Sequence, residues 1–165
     1  MESLTALSAN LGRLLKANGQ SVAVAESSTG GLISAALLAV PGASAFFLGG
    51  GVIYTAPARA ELLRISRDDV TGIRSATEAY ASLLAGRVRE ILGATWGLGE
   101  TGAAGPTGNP YGDAPGHTCI AVSGPTGRAI TLETGAADRE ANMWAFTKAA
   151  LELFESCIEG EAQNR

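Results

Sequence analysis

The chain has one histidine, two cysteines, few aromatics and no cluster of lysine or arginine. Each scarcity excludes something. With His117 as the only imidazole, no histidine-based triad and no multi-histidine metal site can form within one copy. Cys119 and Cys157 show no metal-ligand spacing, which points to a reduced, cytoplasmic setting. No window reaches the roughly 18 to 20 consecutive apolar residues of a membrane span, and residues 1–10 lack the basic start and apolar run of a targeting segment. A formal charge of -4 without a basic patch lacks the electrostatic footprint of a nucleic-acid binder, so neither nucleic acid nor membrane is an expected partner. Asp113, Glu26 and Glu100 follow no metal-ligand pattern, and no Gly-x-Gly-x-x-Gly follows the first strand; no metal, NAD or other cofactor is expected.

What is present describes a packed α/β chain. Its 165 residues are 46% apolar and 17% charged, enough for one domain with a real core. That domain is expected over 1–165, with its core at about 4–158 and a frayed polar tail at 159–165. Leu4, Leu7, Leu11, Leu14 and Leu15 recur at helical spacing, and Asn18-Gly19 closes that helix. Ser21–Ala25 is a β-prone run followed by a polar turn and a helix to Leu38. A second strand spans Leu48–Tyr54, its Gly49, Gly50 and Gly51 marking close backbone approach. Pro57 opens a short helix to Leu63, and Ser75-Ala76-Thr77-Glu78 reads as a capping box for a long helix ending at Gly93.

A third strand is expected over Thr95–Gly99, followed by an aperiodic glycine- and proline-rich loop from Thr101 to Gly116. Gly124-Pro125-Thr126-Gly127 joins two antiparallel strands, Thr118–Ser123 and Ala129–Thr134, and Asp138 caps a last helix to about Ile158, with Trp144 among its inward residues. Strands separated by helices imply parallel crossovers, so the expected fold is α/β with a mixed, mostly parallel sheet of about five strands, one antiparallel, and helices on both faces.

Two turns carry the candidate chemistry. Glu26-Ser27-Ser28-Thr29-Gly30-Gly31 places hydroxyls and free amides where a strand enters a helix, an arrangement that suits an anion or a developing oxyanion and equally suits an ordinary cap. Thr101-Gly102-Ala103-Ala104-Gly105-Pro106 has small side chains that let amides approach a phosphate or carboxamide, or simply reverse the chain. Beyond the carboxyl ends of parallel strands the two turns make one crevice, with Tyr54 and Arg59 as its third side and Arg139 at the start of the last helix. A small nucleotide is the expected ligand, and homo-oligomerisation stays open. A structural or partner-binding reading has Phe46, Phe47 and Trp144 covering an interface.

The segments Ala25–Gly31, Val40-Pro41-Gly42-Ala43-Ser44-Ala45 and Gly102–Pro106, in this order and spacing, resemble the carboxy-terminal domain family of the competence/damage-inducible protein CinA. The resemblance runs over nearly the whole chain. It implies a three-layer α/β/α domain without a cofactor, and a nicotinamide-nucleotide amidase that hydrolyses nicotinamide mononucleotide to nicotinate mononucleotide and ammonia. It gives Ser27 the nucleophile's role, has Thr29 and the amides of Gly30 and Gly102–Gly105 hold substrate or oxyanion, places Arg139 at the phosphate and Tyr54 beside the nicotinamide. Three positions depart from the family pattern: Arg59 replaces a lysine, Ser28 a cysteine, and Asn142-Met143 a second arginine. Arginine stays charged at any workable pH, so Arg59 supplies electrostatic help where a lysine can act as a base. The resemblance therefore also leaves room for a nucleotide-binding domain that has lost turnover.

Overall fold

The computed structural model describes residues 2–165; Met1, counted in the single-domain expectation, lies outside them. Helix α1, Leu4–Asn18, begins where the Ser3 hydroxyl accepts from the Ala6 amide, and it ends at Gly19 in the left-handed region. Then follow β1 (Val22–Glu26), α2 (Leu32–Leu38), β2 (Phe47–Val52), α3 (Ala56–Leu63), α4 (Glu78–Leu92), β3 (Trp96–Ala103), β4 (His117–Ser123), β5 (Arg128–Glu133) and α5 (Arg139–Gln163). Thr55 caps α3 ahead of Pro57, and Asp138 caps α5 through the Ala141 amide.

The five strands form one sheet in the order β2-β1-β3-β4-β5. β1 runs parallel to both β2 and β3, while β4 pairs antiparallel with β3 and β5. The sheet is therefore mixed, as expected, with β4 alone opposing the other four. Alternation along β1 sends Val22 and Val24 to one face, where they join Trp96, Leu98, Ile120 and Val122 under α1, α2 and α5. Ala23 and Ala25 face the other way, toward Ile53, Leu63, Tyr80, Leu84 and Val88. On the first face Trp96 meets Phe154 edge-on, ring centres 5.8 Å apart.

The second face is lined with small residues because α4 lies almost on the backbone of β3. A Cβ added at Gly97 would stand 2.0 Å from the Ala85 carbonyl oxygen, and one at Gly99 2.2 Å from that of Ala81. The glycine run of β2 has the expected effect at Gly50, whose added Cβ would stand 2.6 Å from Ser34 Oγ. Among the described residues no helix is long and apolar enough to cross a membrane.

Four local expectations are corrected. The cap of α4 is Thr77, whose hydroxyl accepts from the Tyr80 amide, because Ala76 takes the left-handed conformation (φ 59) and Ser75 stays outside the helix. β3 continues four residues past Gly99, since pairing with β4 extends to Ala103 opposite His117. α5 runs through Gly160 to Gln163, with Glu161 held by Arg165 at 2.6 and 2.9 Å and by Gln20 at 3.3 Å, so the tail is helical. Phe46 is fully buried in the core, so it cannot cover an interface, and Trp144 is only half-buried.

Candidate active site

β1 and β3 are adjacent and parallel, so the serine turn after β1 and the glycine turn after β3 lie at the same rim of the sheet. The residue that joins them is Glu100, near the end of β3 and fully buried. Its Oε2 accepts from the amides of Ser27 and Thr29 and from Thr29 Oγ1, each at 3.0 Å. Its Oε1 accepts from Ser28 Oγ and, at 2.9 Å, from Thr118 Oγ1. Four donors, and the Thr29 hydroxyl that Glu100 shares with Glu26, thus surround a carboxylate that has no cationic partner among the described residues, which is how a buried charge is tolerated without an ion pair.

Glu26 does the same for α2. Its Oε1 accepts from Thr29 Oγ1 at 2.7 Å, Gly31 N at 2.9 Å and Ile33 N at 3.0 Å, and its Oε2 from the amide and hydroxyl of Ser34 at 2.9 and 2.8 Å. A carboxylate at the positive end of a helix satisfies the first-turn amides from within the protein. The free amides expected around Gly30 and Gly31 are therefore engaged: Gly31 N by Glu26, and Gly30 N by the Ser27 carbonyl.

A cleft of about 240 Å³ opens at this rim, bordered by Ser28, Tyr54, Gly102, Ala103, Ala104, Gly105 and Arg139, with Thr107, Gly108, Asn109 and Pro110 closing it. Arg139 Nη1 donates to the Gly105 carbonyl at 2.5 Å and Nη2 to Tyr54 Oη at 3.1 Å, tying the two walls together. Asn142 Nδ2 donates to the Ala104 carbonyl at 2.8 Å. The carbonyls of Ala104 and Gly105 are held in this way, while their amides donate to no protein acceptor among the described residues. A larger depression of about 400 Å³, between α4 and the β4–β5 hairpin, is lined by Ser82, Ser123, Gly124 and Arg128 and by none of the candidate residues.

The other candidates stand outside the cleft wall. Glu26 and Thr29 are buried behind the serine turn, and Gly31 is the cap position of α2. Gly30 lies under Met143, whose Cε is 2.9 Å from where a Cβ would be. Ser27 is half-buried, its amide turned to Glu100. Thr101 points to the opposite side, accepting from the Ala76 amide at 3.1 Å. Arg59 Nη1 faces Tyr80 Oη at 3.5 Å and its Nε is buried without a partner among the described residues, so the structure does not bring it to Ser27 or Ser28. The residue sequence reasoning missed is Glu100, weighed only as a metal ligand; its signal is a glutamate continuing an otherwise apolar strand.

Beside the cleft a polar network anchors the long loop. Asp113 receives Arg74 Nη1 at 2.7 Å and Nη2 at 3.2 Å, together with Asn109 Nδ2 at 2.7 Å. The Arg74 guanidinium, followed by the Asn109 amide, holds the Asp113 carboxyl below its usual range. Asn109, which borders the cleft, is fixed in turn by the Asp113 amide donating to its Oδ1 at 3.1 Å. His117 starts β4, with Nδ1 against Glu133 Oε1 and Nε2 2.8 Å from the Ala76 carbonyl. Burial raises the Cys119 thiol.

The family model described as the CinA C-terminal domain matches residues 4–158. The chain is 42% identical over 122 residues to a CinA-like protein of Desulfosudis oleivorans, covering 74% of this chain and 30% of that protein. It is 39% identical over 153 residues to a CinA-like protein of Chlorobium limicola, covering 89% and 35%. It therefore spans about a third of the length of these curated relatives. The crystal structure of competence/damage inducible protein CihA from Agrobacterium tumefaciens matches with a TM-score of 0.87 at 25% identity, over 95% of this chain and 96% of that one.

Proposed function

From the premise that the chain belongs to the CinA C-terminal domain family, we propose that it is an amidohydrolase converting nicotinamide mononucleotide to nicotinate mononucleotide and ammonia, a step of pyridine nucleotide salvage. The observation that carries the reading is the meeting of the serine turn and the Gly102–Gly105 turn in one cleft, with Tyr54 and Arg139 as its far wall. In this reading a hydroxyl of the Ser27-Ser28 turn attacks the carboxamide carbon, and the amides of Ala104 and Gly105 receive the oxyanion. Arg139, which uses two of its five N–H groups on Gly105 and Tyr54, keeps donors for the phosphate. Tyr54, exposed two residues past β2, borders the nicotinamide ring.

Mass spectrometry of nicotinamide mononucleotide incubated with the protein tests it. The nicotinate product and an equal amount of ammonia are expected, with both lost on Arg139→Ala at low substrate concentration. Absence of product at any pH between about 6 and 10, the span over which a general base titrates, sinks the reading.

A second reading, a nucleotide-binding domain without turnover, is favoured by Arg59. It stands where the resemblance has a lysine, and its guanidinium is turned toward Tyr80. Thermal stabilisation by the nucleotide with no product is its signature.

A further inference from the structure

Resting on the amidase reading, we propose that Asn142 is a positioning residue: it aims the Gly105 N–H into the cleft, where the reaction needs a donor for the oxyanion. A peptide unit is planar, and in the trans form its N–H and C=O point opposite ways, so whatever holds the oxygen sets the direction of the hydrogen. The Ala104–Gly105 peptide is trans. Its oxygen accepts from Asn142 Nδ2 at 2.8 Å, and its N–H belongs to Gly105, which borders the cleft. The preceding unit is fixed in the same way, but by backbone: the Ala103 oxygen accepts from the Gly116 amide at 2.8 Å. Of the two amides left open at this turn, that of Gly105 is the one set by a side chain.

The Asn142 carboxamide has no freedom to turn over. Its Nδ2 faces the carbonyl oxygens of Ala104 and Ala136, each at 2.8 Å, and reversal would put Oδ1 against both. Oδ1 accepts from Thr134 Oγ1 at 2.6 Å; that hydroxyl itself accepts from the Ala136 amide at 3.2 Å, so its one hydrogen is directed at Asn142. The side chain is 1% exposed and sits in the first turn of α5.

The same helical turn grips the next oxygen as well, since Arg139 Nη1 donates to the Gly105 carbonyl. Gly105 stands at φ 115, with the Ala137 carbonyl oxygen 2.6 Å from where a Cβ would be, so its backbone passes directly against the entry to α5. Two residues three apart on one helix thus hold consecutive carbonyls of the glycine turn. Arg139 borders the cleft and can touch a ligand, whereas Asn142 lies behind it and acts through Gly105.

Backbone nitrogen relaxation, measured by NMR, tests the aim without substrate. In wild-type protein the Gly105 N–H is expected to be rigid, with an order parameter of about 0.85, although no protein acceptor holds it. In Asn142→Leu and in Asn142→Asp, both close to asparagine in shape and both without the Nδ2 donor, the value should fall below about 0.6 while the β3 amides keep theirs. Turnover is the second readout. The kcat for ammonia release from nicotinamide mononucleotide should fall about a hundred-fold in Asn142→Leu, the lower end of what losing an oxyanion donor costs, with KM unchanged. A mobile Gly105 N–H in wild type, a rigid one in either folded variant, or a raised KM at wild-type kcat overturns the proposal. A merely structural Asn142 would loosen residues 134–136 and leave Gly105 and kcat alone. Should neither variant fold, wild type still decides: slow solvent exchange of the Asn142 side-chain amide beside a rigid Gly105 supports the proposal, and free exchange overturns it. No ammonia from wild type, with a Gly105 N–H that loosens in the variants, sinks the amidase reading alone; ammonia at the wild-type kcat from a folded variant sinks the role of Asn142 alone.

Discussion

The imidazole of His117 stands 2.8 Å from the carbonyl oxygen of Ala76, a residue held in the left-handed region at φ 59. Nδ1 of the same ring meets Glu133, so both nitrogens face acceptors and both are donors when the ring is charged. Burial opposes that charge, but the Glu133 carboxylate, the Ala76 carbonyl and Asp113 together outweigh it and raise the pKa above 6.5. Because the folded value is the higher one, the stabilisation is complete below the unfolded pKa and disappears as pH rises through the folded pKa. The melting-temperature difference between wild type and His117→Gln should therefore be largest in mildly acid buffer and shrink above about pH 6.5. A difference that grows with pH contradicts this.

Glu26 closes the start of α2 by accepting from the amides of Gly31, Ile33 and Ser34 and from the Ser34 hydroxyl, and it shares the Thr29 hydroxyl with Glu100. Glu26→Gln replaces an acceptor-only group with one whose NH2 faces other donors, leaving buried amides unpaired. The expected loss is about 3 kcal/mol in urea unfolding. A loss smaller than about 1 kcal/mol would mean that α2 does not depend on this carboxylate.

Gly99→Ala tests the contact between β3 and α4. The new Cβ would lie 2.2 Å from the Ala81 carbonyl oxygen and 2.8 Å from the Ala85 amide nitrogen, both backbone atoms that cannot rotate aside. Relief requires the helix to move off the sheet, so the unfolding free energy should drop by about 3 kcal/mol or more. Near-wild-type stability would show that α4 lifts easily.

Thr77→Ala should cost about 1 kcal/mol, the value of a side-chain cap, because Thr77 Oγ1 accepts from the Tyr80 amide at 3.2 Å. Ser75→Ala should change stability by no more than about 0.5 kcal/mol. Calorimetry on the two variants compares them directly, and the reverse order would restore Ser75 as the cap.

The Ser75/Thr77 case shows how the sequence ran out. Ser75-Ala76-Thr77-Glu78 offers two caps two residues apart, and only the turn of Ala76, clamped by Thr101 and His117 from the sheet, selects the second. Likewise Thr101–Ala103 reads as loop because glycine and alanine have weak strand preference, yet pairing with β4 overrides it. Glu100 was visible as a charged residue after an apolar run, but its partners Ser28 and Thr118 are remote along the chain.

Periodicity, caps and turn residues in the sequence determined the helices, the strands and the presence of two small-residue turns after strands, because those signals act within a few residues. The tertiary structure alone decided that the first turn is wrapped around Glu100, that Glu26 consumes the amides of α2, and that Arg59 turns toward Tyr80 and not to the serine turn. Each of those outcomes depends on which buried donors meet which buried acceptors across the sheet, and that pairing exists only once the strands lie side by side.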